Sequence, residues 1–190
     1  MTEQAIRGEG VVIDRGAVRF ERLLPGPVDL VWSYLTESPK RATWLASGPM
    51  DLQSGGQVDL TFDNESLSVD DDPTPERFAS PDDSCGNKML GKVTACDPPR
   101  LLSFTWGENG ITDSEVTFEL APQGEDVLLT LTHRRLPNRG QMVNVSGGWH
   151  THLDILVARL QDRDAGRFWP AYLDHEAHYQ TKLTDADALH

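Results

Sequence analysis

Histidines and large aromatics are the residues of this chain whose types and spacing could do chemistry. His133 follows Leu129 and Leu131 at alternating positions, and His152 lies between Trp149 and Leu156 on a helical spacing. An imidazole on an otherwise apolar face can hydrogen-bond a ligand or move a proton, because it titrates near neutrality. The competing reading has His133 at a strand end and His152 at the edge of a stripe, each hydrogen-bonded or wet. His150 and His152 are two apart, which on a helix sends them to different faces. His175-Glu176-Ala177-His178 sets its histidines three apart, one short of the zincin H-E-x-x-H spacing. They can share a helix face, but no third ligand is evident, so no metal is expected. There is no G-x-S-x-G elbow and no P-loop. Glu21, Glu65, Asp70, Asp71 and Asp72 read as solvated charges. No catalytic residue and no cofactor is assigned.

The aromatics are better organised. Phe62, Phe104, Trp106 and Phe118 fall on inward strand positions, Met142, Trp149 and Leu153 on a helical stripe, and Trp32 and Trp44 on short helices nearby. Large flat side chains against a sheet either interlock as core or leave a slot for a small apolar or aromatic molecule.

The element that must organise them is a long amphipathic helix from Arg139 to Gln161. Met142, Val145, Trp149, Leu153, Leu156, Val157 and Leu160 form one apolar stripe on a 3.6-residue period. Asn138 suits the N-cap, and Arg159 suits the C-terminal end of the helix dipole. Gly147 and Gly148 each cost roughly 1 kcal/mol against Ala inside a helix. Close approach of another backbone, placed at Gly148, is one reason for them; a kink or a helix start near Ser146 is the other.

Upstream, residues 1–16 read as a loose lead-in and Ala17 to Leu24 as a first strand, alternating except at Arg22. Short helices follow over Val28 to Leu35 and from Ser38 through Leu45. Met50 to Leu52 and Val58 to Phe62 read as a hairpin around Ser54-Gly55-Gly56. Residues 64–87 are acidic and proline-bearing, with only Leu67, Val69 and Phe78 apolar enough to pack. A weakly ordered loop is expected there, or a lid over a pocket. Alternating strands follow over Met89 to Asp97, Arg100 to Trp106, Ser114 to Leu120 and Asp126 to Arg134. Short strands with tight turns mean an antiparallel sheet with one buried face. A lesser helix opening at Pro170 closes the chain.

At 190 residues the chain can bury a sizeable single core. The expected division is a lead-in (1–16), a domain over 17–161 and a C-terminal extension over 162–190. Thirty acidic against 17 basic residues, a net charge of −13, repel a phosphate backbone, so nucleic acid is not an expected partner. Cys85 and Cys96 are too few for a disulfide framework. No apolar run is long enough to span a membrane, and the N-terminus lacks signal-peptide features, so a cytoplasmic location is expected.

Three stretches carry a family resemblance: GKVTACDPPRLLSFTWG, SEVTFELAPQGEDVLLTLTHRRL and GGWHTHLDILVARL. They resemble bacterial relatives of the C-terminal domain of the activator of the Hsp90 ATPase, in the START-like (SRPBCC) superfamily. The resemblance covers roughly Val18 to Leu160. It implies an α+β helix-grip fold: a curved antiparallel sheet with two short helices, covered by a long C-terminal helix that commonly encloses an apolar cavity. Fold alone does not assign the chemistry. A small-molecule-binding protein, a cyclase- or hydrolase-type enzyme with His133 or His152 as acid/base, and a chaperone-cofactor-like interaction protein are the three readings.

Overall fold

The structure, a computed structural model, describes residues 8–68, 73–79, 87–108 and 111–189. Seven strands form one antiparallel sheet: β1 (Val11–Asp14), β2 (Ala17–Pro25), β3 (Gln57–Phe62), β4 (Asn87–Asp97), β5 (Leu101–Glu108), β6 (Ile111–Gln123) and β7 (Asp126–Arg134). Their order across the sheet is β1-β2-β7-β6-β5-β4-β3. Helices α1 (Val28–Thr36) and α2 (Ser38–Arg41) lie between β2 and β3, and α3 (Arg139–Leu160) and α4 (Phe168–Lys182) follow β7. This is the α+β helix-grip arrangement.

Period-two alternation becomes rows of buried side chains once the strands pair. Val93, Phe104, Val116, His133 and Val18 form one row, and Leu102, Phe118, Leu131 and Phe20 the next. A one-residue slip in any strand would turn its contribution to water, so burial of this face sets the register. The β4–β5 register shifts between Val93 and Ala95, an irregularity of the kind that bends a sheet.

Helix α3 is continuous through both glycines, and the Gln141 backbone N–H donates to Asn138 Oδ1 at 2.9 Å. Met142, Trp149, Leu153 and Leu156 of the expected stripe are buried. Val143, Gly147, His150 and Thr151 are buried too, because α4 packs on another side of the helix. The closing helix starts at Phe168, two residues before Pro170, and buries Phe168, Trp169, Tyr172 and Tyr179. Its proline sits in the first turn, where the missing N–H removes no helical bond.

The glycine expectation is reversed. A Cβ on Gly147 would meet the Cα and N of Glu176 in α4 at 3.3 Å, whereas one on Gly148 would meet nothing within 4 Å. Gly147 is the close-approach residue.

Four other expectations change. Within the supposed lead-in, residues 11–14 pair with β2 as an edge strand; Met1–Arg7 lie outside the described residues. Helix α2 ends at Arg41, after which the Arg41 carbonyl accepts from the backbone N–H groups of Trp44, Leu45 and Ala46. Met50 makes only an isolated bridge to Val58, so β3 has no regular hairpin partner before it. Pro49 lacks an N–H and Gly48 adopts φ 114°, which together break any ladder there. Of the acidic segment, 64–68 and 73–79 are described, and there Leu67 is buried and Phe78 stacks on Trp169 at 5.0 Å. Arg159 of α3 ties this segment down by donating to the Leu67 carbonyl at 3.2 Å. Val69, Asp70, Asp71, Asp72 and Cys85 lie outside the described residues.

Candidate functional site

A cavity of about 500 Å³ opens between the β3–β5 part of the sheet, α3 and α4. Strands contribute Phe62, Met89 and Trp106; α3 contributes Asn144, Val145, Gly148, Trp149 and His152; α4 contributes Phe168, Trp169 and Tyr172. The acidic segment adds Asn64, Arg77 and Phe78, and Lys88 stands on β4. Gly148 gives the cavity its space on the helix side, since no side chain projects there.

Of the residues expected around a slot, Phe62, Trp106, Trp149 and His152 line this cavity. The others do not. Phe104 and Phe118 stack on each other in the core at a centroid distance of 6.1 Å. Met142 and Leu153 are fully buried between α3 and its neighbours. Trp44 is buried with its indole N–H donating to the Tyr34 carbonyl at 2.8 Å, and Trp32 packs half-buried against the core. His133 lies behind the wall: Trp149 Nε1–H donates to its Nδ1 at 3.0 Å.

That bond sets the tautomer of His133. With Nδ1 accepting, the proton of the neutral ring sits on Nε2, which has no partner among the described residues. The ring stays neutral because burial pushes its pKa down to about 3, with Arg135 adding to the effect. Trp106, whose ring centroid is 5.7 Å from that of His133, likewise has an unpartnered indole N–H. A buried donor without an acceptor costs roughly 1–3 kcal/mol, and both of these N–H groups are closed off beneath the cavity wall.

His152 is arranged the other way. Its Nδ1 lies 2.7 Å from the Trp44 carbonyl, which can only accept, so Nδ1 carries the proton and Nε2 keeps a lone pair. Burial lowers its pKa to about 4, against a smaller raising effect of that bond.

The charge on the wall is one-sided. Among the described residues, Arg77 and Lys88 line the cavity and no Asp or Glu does, in a chain with 30 acidic and 17 basic residues. Arg77 pairs with Glu176 and lies over the Phe78 ring, 4.5 Å from its centroid. The Tyr172 hydroxyl donates to Asn144 Oδ1 at 2.8 Å.

Sequence reasoning missed the α4 aromatics and the Arg77-Phe78 pair. The available signal was the run of Phe168, Trp169 and Tyr172 just after Gly166, too aromatic for a solvated tail.

Residues 25–161 match the family of "Activator of Hsp90 ATPase homolog 1-like protein". The chain belongs to this family. Beyond the matched range, α4 supplies the outer wall of the cavity. The solution structure of the protein encoded by gene BPP1335 from Bordetella parapertussis is similar at 39% identity, over 96% of this chain and 94% of that one, with a TM-score of 0.78. CalU16 from Micromonospora echinospora is similar in fold at 24% identity, over 91% and 93% of the two chains, with a TM-score of 0.63. DynU16, from the dynemicin biosynthetic locus, shares the fold at 21% identity over 81% of this chain and 51% of its own, with a TM-score of 0.58. No curated protein matches the chain. Among the described residues, no helix is long and apolar enough to cross a membrane.

Proposed function

We propose that this family member binds a small, flat, largely apolar molecule in the cavity between α3, α4 and the sheet. The observation that carries the reading is the 500 Å³ space walled by Phe62, Phe78, Trp106, Trp149, Phe168 and Trp169. Ligand sites are mostly apolar with a few polar groups that fix orientation. Here those groups are the cations Arg77 and Lys88, which favour a molecule bearing an acceptor or an anionic group over a plain hydrocarbon, and the His152 lone pair, which takes a donor.

An enzymatic use of the same cavity would centre on His152. A base whose pKa is lowered to about 4 is deprotonated at neutrality but takes up a proton weakly, which favours binding over acid/base catalysis. The chaperone-cofactor reading needs a large exposed apolar face, and the surface around the cavity mouth carries Arg77 and Lys88 instead.

The test is a thermal-shift and native mass-spectrometry screen of aromatic carboxylates against their neutral isosteres. A ligand at a hundredfold excess over its Kd adds about 2.7 kcal/mol of stability, and the carboxylates are expected to outperform the isosteres. Gly148→Trp, which projects a side chain into the space, should abolish the shift while the protein stays folded. Shifts that persist in that variant, or a screen in which nothing stabilises the protein, would overturn the reading.

A further inference from the structure

The C-terminal histidines, unremarkable in sequence, converge in space. His150 and Asp154 stand one turn apart on α3, and His175 faces them from α4. The ligand atoms of the three lie within 4.8 Å of one another, the one such group among the described residues, and none of the three lines the cavity. Asp154 Oδ2 is 3.7 Å from His150 Nε2 and 3.9 Å from His175 Nε2.

Hydrogen bonds around the group decide which nitrogens carry protons. The Thr151 hydroxyl donates to the Gly147 carbonyl at 2.9 Å, so towards His175 Nδ1, 3.3 Å away, it can only accept. His175 therefore carries its proton on Nδ1, and in the neutral ring the Nε2 lone pair faces the Asp154 carboxylate. Two electron-rich atoms so opposed call for a cation between them. His150 is held at the same end: its Nδ1 lies 3.0 Å from the Tyr179 hydroxyl, whose oxygen accepts from the Gly10 N–H at 2.7 Å and has a second lone pair for a proton on Nδ1, the tautomer that leaves Nε2 free for a metal. Asp154 is oriented from behind, with Arg22 donating to Oδ1 at 2.8 Å and leaving Oδ2 towards the imidazoles. Metal-ligating imidazoles are oriented in this way, through the nitrogen that does not bind the metal.

We propose that His150, Asp154 and His175 form a binding site for a divalent transition-metal cation of the zinc class, with a fourth position open to water. Two imidazoles and a carboxylate are a donor set that zinc accepts, and three protein ligands leave one coordination position free. A tetrahedron with bonds of about 2.0–2.1 Å has edges of roughly 3.3 Å, so the carboxylate–imidazole separations must close by about half an ångström. The imidazoles stack with centroids 3.8 Å apart and must splay for both lone pairs to converge. Asp154 is half-exposed and His175 partly exposed, which leaves room for that adjustment. Arg22 sets a limit, because its positive charge so near the site weakens affinity for a dication.

Cobalt(II) titration of the untagged, chelator-treated full chain tests the site. The expected result is one equivalent bound, with the visible ligand-field absorption of a low-coordinate cobalt centre, displaced by zinc. His175→Gln and Asp154→Asn should each weaken binding by about tenfold or more. His178→Gln, whose parent residue faces Glu9 instead, should bind like the parent. Circular dichroism of each variant without metal checks folding; if Asp154→Asn does not fold, His150→Gln takes its place. No saturable cobalt binding, or binding unchanged in His175→Gln, would overturn the proposal.

Discussion

Mild acid should destabilise this protein well before its carboxylates titrate, and the size of the effect follows from two buried imidazoles. His133 is fully buried with its pKa lowered to about 3, and His152 is nearly so with its pKa lowered to about 4. In the unfolded chain both return to about 6.5. The unfolded state therefore binds more protons between those values, and stability is full above about pH 6.5 and falls as the pH drops towards 4. At pH 5, protonation of the unfolded chain favours unfolding by about 2 kcal/mol for each group. Together they remove about 4 kcal/mol between pH 7 and pH 5, a large share of an ordinary domain's 5–15 kcal/mol. His150 and His175, whose pKa values burial also lowers, act in the same direction. Urea denaturation at pH 7, 6 and 5 measures this, and His152→Gln isolates one group: its loss over the same range should be smaller by about 2 kcal/mol. A parent protein that loses less than about 1 kcal/mol, or a variant whose pH profile matches the parent's, would refute the reasoning.

Other outcomes follow from packing. Gly147→Leu should cost about 2 kcal/mol or more, because its side chain meets the α4 backbone, whereas Gly148→Ala should be neutral or gain up to about 1 kcal/mol; urea midpoints of the two variants decide it. The Arg41 guanidinium is buried and donates to the carbonyls of Leu35, Thr36, Ala46 and Gly48. Arg41→Met would leave those carbonyls unmet and should cost about 3–5 kcal/mol, read as a lower Tm and faster amide exchange around Trp44.

How far the chain could be read without its structure depended on the range of the physics. Strands β2 to β7 and helix α3 were legible because their signals are local: alternation on one face, a 3.6-residue stripe, a cap at Asn138. Those signals also gave Trp106, Trp149, Phe62 and His152 as inward residues, though not which of the inward aromatics border empty space. That distinction rests on the α3–α4 contact. Gly147 lets the α4 backbone approach α3, Gly148 leaves a gap beside it, and no local pattern tells adjacent glycines apart. The outer wall depends on longer range still, since Phe78 meets Trp169 across 91 positions of chain. The histidine group has the same origin. His175 and His178 share a helix, and sequence spacing invites pairing them, yet His175 faces His150 and Asp154 of α3 while His178 faces Glu9. Periodicity states which face of an element is apolar; only tertiary packing states which other face it meets, and therefore where donors, lone pairs and charges gather.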